Sequence, residues 1–376
     1  MSRESATGVA AWVRALLAWF AVNRRPMPWR DRPTPYAVWL SEIMLQQTQV
    51  GSVLPKFDSF IQRFPDVATL AAADVEAVLK AWEGMGYYAR ARNLHRAARV
   101  VMADHSGRLP GSAEGLRALP GIGAYASAAI ASIAYGEPAP AVDGNVLRVI
   151  ARFRGIDDDI RRPATRDRIA AFLLPHIRRV DPSAFNQALM ELGALVCRPR
   201  NPRCGECPMA RDCVALRSGK VDVLPVKSRL ARPPHVVEVA AVVWCGVKLL
   251  VCRRPETGML GGLWEFPGGR CGEKEAPPQA LTRVLGDCVA ARVTTGQAIA
   301  VVDHAYSHFR TTVHAFTCRV MGTRQEARAA ENQRWVPVAE LDALPMTKVA
   351  RMIVGHVGGV ARARRAAERP GHRRSG

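Results

Sequence analysis

Cys197, Cys204, Cys207 and Cys213 stand in the order C-x6-C-x2-C-x5-C, in a chain with nine cysteines in all. Thiolates this close can hold either a tetrahedral zinc ion or a [4Fe-4S] cube, since both accept four cysteine ligands. Zinc sites usually pair one C-x2-C with a second, which is missing here, so the spacing favours the cube. Arg198, Arg200, Arg203 and Arg211 punctuate the loop and can face phosphate. Two carboxylates follow. Glu42 shares an i, i+4, i+7 face with Gln46 and Gln49 in a helix that is otherwise apolar, a stripe that is either a solvent face or a site. Asp143 precedes an apolar-periodic helix and reads as its N-cap. Cap hydrogen bonds and the helix dipole would keep Asp143 ionised, while burial would raise Glu42. A pair split in this way can donate a proton with one member and stabilise a cation with the other. In Leu119-Pro120-Gly121-Ile122-Gly123 the glycines permit a tight hairpin whose N–H groups approach a phosphate oxygen unobstructed.

Helices must position most of these groups. Val9, Trp12, Val13, Leu16, Leu17 and Phe20 follow the spacing of one buried helical face, as do Val146, Val149, Ile150 and Phe153. Thr34-Pro35 marks a helix start. The chain is expected to be multidomain. An all-α domain spans 1–216 with the cysteine loop at 197–213, a Lys/Arg/Pro-rich linker spans 217–235, and an α+β domain spans 236–358. In the last, β-like runs at 236–244, 247–252, 297–303 and 311–320 are interleaved with helices near 278–285 and 347–356. The basic tail, 359–376, is expected to be disordered. The 376 residues are 48% hydrophobic and 23% charged, which excludes a wholly disordered chain. Lys plus Arg number 53 against 33 Asp plus Glu, a net charge of +20 that makes a polyanion the first partner to consider. The long uncharged stretch at 118–136 is interrupted by Pro120, Gly121 and Gly123 and is too weakly apolar to span a bilayer. With no signal peptide evident, a cytoplasmic protein is expected, nucleoid-associated if the source is bacterial.

SEIMLQQTQV, GMGYYARARNLHRAA, LPGIGAY, VDGNVLRV and the cysteine motif occur together and in order. The combination resembles the helix-hairpin-helix DNA glycosylases, and most closely their adenine-specific branch, over nearly the whole chain. The resemblance implies a [4Fe-4S] cluster on Cys197, Cys204, Cys207 and Cys213. It implies a monomer that acts on double-stranded DNA and removes adenine paired with 8-oxoguanine or guanine. Glu42 matches the acid that protonates adenine N7, and Asp143 the carboxylate that stabilises or traps the sugar. Tyr125 and Asn145 match the residues that support that pair, Trp29 and Arg30 the pocket entrance, and Gln187 a position near the flipped base. Gln47 and Tyr87 match residues that wedge into the base stack. Leu119, Gly121 and Gly123 belong to the DNA-binding hairpin. Bifunctional relatives carry a nucleophilic lysine where this chain has Tyr125, which cannot form a Schiff base, so base excision without efficient lyase activity is expected.

The run at 261–269, GGLWEFPGG, resembles the approach to a Nudix box, but beyond Glu275 and Arg283 the chain reads Val284-Leu285-Gly286-Asp287, without the metal-binding glutamates. The domain is therefore expected to be Nudix-like in scaffold and to serve recognition. Tyr306-Ser307-His308 resembles the loop with which the family reads 8-oxoguanine, with Tyr in place of Phe. A pyrimidine-lesion glycosylase with lyase activity, a non-cutting lesion sensor and a nucleotide hydrolase are the competing readings.

Overall fold

The computed structural model describes residues 8–31, 33–228, 232–289, 291–321 and 329–367. They divide into two compact units, one comprising 1–73 and 92–230, the other 74–91 and 231–376.

The first unit is helical. Ala11–Asn23 buries Trp12, Val13, Leu16 and Phe20, the face read from its periodicity. These pack with Ile150 and Phe153 of Gly144–Arg154 and with Phe185, Leu189 and Leu192 of Pro182–Leu195. The Trp12 and Phe153 rings lie 5.3 Å apart. Thr34 caps Pro35–Leu45 and Asp143 caps Gly144–Arg154, each accepting a backbone N–H of the first turn. The helix carrying Glu42 is shorter than its polar stripe implied. It ends at Leu45, and Gln47 turns back with φ +56°, so Gln46 and Gln49 do not continue a helical face. Leu119 and Ile122 are buried beneath the hairpin between Ala113–Arg117 and Ala124–Tyr135. Its turn requires glycine at 121, where φ is +77° and a Cβ would lie 2.5 Å from that of Asn93.

Among the described residues of the second unit seven strands form one mixed sheet: β1 His235–Cys245, β2 Lys248–Arg253, β3 Trp264–Glu265, β4 Gly268–Arg270, β5 Val293–Ala305, β6 Arg310–Val320 and β7 Gln333–Pro337. The order is β3-β2-β1-β6-β5, with β4 also paired to β1 and β7 to β2; β1 and β6 run parallel, and the other pairs antiparallel. β1 is apolar at successive positions because both faces are covered. Val239, Ala241 and Val243 meet Leu281, Val284 and Leu285 of helix Pro277–Cys288, and Ala240, Val242 and Trp244 meet Ala350, Ile353 and Val357 of helix Lys348–Ala367. The segment 74–91 joins this unit through specific polar contacts: Trp264 Nε1 donates to Glu76 (3.1 Å) and Arg351 Nε to Glu83 (2.8 Å). The last helix runs to Ala367, into the tail expected to be disordered, because Ala and Arg are strong helix formers and no Gly or Pro interrupts 361–367. Residues 368–376 lie outside the described residues.

Replacing Gly121 by Ala should cost about 1–3 kcal/mol, through the left-handed φ and the approach to Asn93. Calorimetric melting of the variant measures it, and an unchanged midpoint would show that the hairpin tolerates a side chain there.

Candidate active site

One cavity of about 730 Å³ in the helical unit is bordered by Trp29, Arg30, Glu42, Gln47, Gly123, Tyr125, Asp143, Asn145 and Gln187. Residues from five separate stretches of sequence thus converge. Glu42 comes from a helix whose other faces are buried, and is itself only 5% exposed. The Tyr125 hydroxyl donates to Glu42 Oε2 at 2.7 Å and lies 3.3 Å from Met190 Sδ. Burial pushes the Glu42 carboxyl up to about 7, the Tyr125 bond and Arg30 opposing the rise and the negative charge of Asp143 adding to it. Tyr125 is itself driven well above the ordinary phenol value by burial and by the two carboxylates, so it keeps its proton and remains a donor.

Asp143 carries more hydrogen bonds. Its Oδ1 accepts from Val146 N–H at 2.7 Å and its Oδ2 from Asn145 Nδ2 at 2.8 Å. The cap therefore holds the carboxylate in place, and its hydrogen bonds favour the ionised form in the direction that the sequence suggested. Burial raises Asp143 as well, against those hydrogen bonds and the charge of Arg148. Arg148, which the sequence reading missed, supports the cap from behind. Its guanidinium donates to Asn145 Oδ1 (2.8 Å), Gly193 O (2.8 Å) and Cys197 O (2.7 Å). The signal was a charged residue at a buried position of a helix with a strong apolar period.

At the other wall Arg30 donates to Gln187 Oε1 (2.8 Å) and to Glu191 Oε2 (3.0 Å), while Arg25 donates to Glu191 Oε1 (2.7 Å). Glu191 was also missed, although it stands one turn beyond Gln187 in a helix that is apolar over most of its length. Burial alone would raise it, but the two guanidinium groups outweigh that and hold it down to about 2. It stays ionised and fixes the two arginines at the rim. Trp29 is buried edge-on against Phe57, with ring centroids 5.0 Å apart.

Cys197, Cys204, Cys207 and Cys213 all border a second, largely apolar cavity walled by Val149, Phe153, Leu192 and Met209. Arg152 Nη1 reaches Cys197 Sγ at 3.4 Å and Arg198 O at 2.7 Å. Four thiols facing one space, with guanidinium charge beside them, fit an anionic thiolate-bound cluster.

Residues 40–173 match the family model for the HhH-GPD superfamily of base excision DNA repair proteins, 197–213 the iron-sulfur binding domain of endonuclease III, and 239–356 the NUDIX domain. The chain is 31% identical to human adenine DNA glycosylase, over 93% of this chain and 75% of that one, and 33% identical to the mouse protein, over 93% and 79%. Among solved structures, a thermostable thymine-DNA glycosylase superposes with a TM-score of 0.50 at 30% identity, covering 55% of this chain and 95% of the other. The chain belongs to the adenine DNA glycosylase family. It is a DNA-binding base-excision glycosylase, a hydrolase of N-glycosyl bonds, and carries a [4Fe-4S] cluster in the loop at 197–213.

The remaining residues of interest lie in the hairpin and in the second unit. Leu119 and Gly121 lie in the hairpin, with only Gly123 reaching the cavity wall. Tyr87, Tyr306, Ser307 and His308 belong to the second unit. Tyr306-Ser307-His308 forms the turn between β5 and β6, closed by Tyr306 N–H donating to Phe309 O at 2.9 Å. Glu275, in register with a Nudix box, accepts from Arg283 (2.7 Å) and from Gly272 N–H (2.8 Å). Among the described residues no helix is long and apolar enough to cross a membrane.

Glu42 titrates higher folded than unfolded, so the folded state is favoured below its ordinary value of 4.5 and that advantage is lost as the pH rises through about 7. Glu42→Gln, which cannot ionise, should therefore gain up to about 3 kcal/mol over the parent well above pH 7, and nothing near pH 4.5. Denaturant titrations across that range check the sign; a pH-independent difference would remove the buried carboxylate as its cause.

Proposed function

We propose that the enzyme removes adenine paired with 8-oxoguanine or guanine from duplex DNA, acting as a monomer and without efficient lyase activity. The observation that carries this reading is Glu42, held at about 7 in the cavity that also contains Asp143. A cavity of about 730 Å³ has room for a purine nucleoside turned out of the helix. Near neutral pH much of Glu42 is protonated, and it gives that proton to adenine N7. The C1′–N9 bond then breaks with its electron pair going to the base. Asp143, aligned by Val146 N–H and Asn145, stabilises the positive charge left on the sugar, and water completes the abasic site. Tyr125 orients Glu42 and cannot attack the sugar as an amine would. No lysine borders the cavity among the described residues, which supports the monofunctional reading.

Trp29, Arg30 and Gln187 flank the entering base, while Gly121 and Gly123 let the hairpin backbone reach a phosphate. Gln47, exposed on a left-handed turn, and Tyr87 take the wedge positions. Tyr306, Ser307 and His308 read the 8-oxoguanine, Ser307 offering both a donor and an acceptor. The cluster ties the loop at 197–213 together as a basic, DNA-facing element.

Single-turnover assays on duplexes with adenine opposite 8-oxoguanine should give strand breaks only after alkali; breaks without alkali would establish a lyase. The rate should fall as the pH rises past about 7 and Glu42 loses its proton, with Glu42→Gln slower by about 10²–10⁴-fold yet still binding the duplex. An equal loss of binding would remove the acid role.

A further inference from the structure

Asp143 is carried to the cavity by a connector, residues 136–143, that is neither helix nor strand yet is buried at Ala141 and Val142, where it approaches the site. Backbone in such a place needs hydrogen-bond partners from outside its own segment. The amide of Asn186, itself fully buried on Pro182–Leu195, supplies them. Its Oδ1 accepts from Ala141 N–H at 3.0 Å, and its Nδ2 donates to Ala139 O at 2.9 Å and to Ser132 Oγ at 2.7 Å. Ser132 Oγ donates its one hydrogen to Ala129 O at 3.1 Å, so towards Asn186 it can only accept. That decides which end of the amide is the nitrogen and leaves the oxygen for Ala141.

The connector passes this hold on to Asp143. Pro138 and Pro140 fix their own φ and keep Glu137 and Ala139, the residues before them, in extended conformations. Only Val142 separates Ala141 from Asp143, a span of at most about 8 Å between Cα atoms. We infer that Asn186 is a positioning residue for excision, anchoring the backbone of Ala139 and Ala141 so that Asp143 stands where Val146 N–H and the Asn145 amide meet its two oxygens. The inference rests on the reading of Asp143 as the group that stabilises the sugar cation. A carboxylate beside a developing positive charge acts through distance and direction, and a misplacement of about 1 Å can cost on the order of 10²-fold in rate. Gln187, the next residue on the same helix, borders the cavity. Adjacent positions of one helix thus serve the base pocket and the sugar carboxylate.

Asn186→Leu keeps the branched outline of the side chain, removes all three bonds and changes no charge. Glu42, Tyr125 and Arg148, the titratable and charged groups that face Asp143, all stay. Ser132→Ala, a change that helices favour, deletes only the bond that orients the amide and serves as the milder variant should the first not fold. Active-site titration with excess duplex counts the folded enzyme, so that single-turnover rates at saturating active enzyme exclude unfolded protein. Asn186→Leu should then excise adenine about 10–100-fold more slowly at unchanged duplex affinity, and Ser132→Ala should lose less. With its cap bonds loosened, Asp143 loses part of what opposes burial, so the acidic limb of the pH–rate profile should move to higher pH while the limb near 7, set by Glu42, stays. Hydrogen exchange over 139–147 should quicken in both variants, a readout of the anchor that needs no activity. If both variants melt earlier but keep the parent's rate and acidic limb, Asn186 serves stability alone and the inference is overturned. If Asp143→Asn excises adenine at the parent's rate, the reading of Asp143 fails, and the inference falls with that reading rather than on its own.

Discussion

Glu42 and Asp143 must share one cavity of the helical unit, and the partners that surround each decide how the two carboxyl groups differ. Burial raises both, and the charge of Asp143 raises Glu42 further. What separates them is the number of hydrogen bonds. Glu42 has a single phenol donor on a helix interior, whereas Asp143 sits at a helix start, where a backbone N–H, the Asn145 amide and the Arg148 charge all favour its ionised form. The same low dielectric that makes an unpaired charge costly makes this difference in partners effective.

Much of this was legible in the sequence because the decisive groups lie in short, locally determined motifs. An N-cap such as Asp143 and a glycine turn such as 119–123 are set by neighbours a few residues away. Glu42 was legible as a polar residue in an apolar helix, but its continuation through Gln46 and Gln49 was not, because Gln47 breaks the helix and periodicity alone cannot foresee that turn. Glu191, Arg25 and Arg148 were missed for a different reason. Their partners are distant in sequence: Arg25 and Glu191 stand 166 residues apart, and Arg148 reaches Gly193 and Cys197, 45 and 49 residues further on. The grouping of 74–91 with the sheet domain was equally hidden, since the partners of Glu76 and Glu83, Trp264 and Arg351, stand 188 and 268 residues further along the chain.

The arginines also qualify what a net charge of +20 means. Not all of that charge is available to phosphate. Arg148 and Arg152 are buried and spend their donors on the carbonyls of Gly193, Cys197, Arg198 and Leu224, groups that helix ends and loops leave without partners. Guanidinium suits this use because its planar fork satisfies several acceptors at once and is weakly hydrated. One consequence is a direct connection between the two cavities. The Arg148 side chain that accompanies the Asp143 cap also holds the backbone of the first cluster cysteine, so the position of the loop at 197–213 and the alignment of Asp143 are set by the same guanidinium. Loss of the cluster would therefore act on excision through geometry, by releasing Cys197 O from Arg148 and loosening the Asn145 amide that steadies the carboxylate. The cluster needs no chemical part in breaking the glycosidic bond to influence its rate.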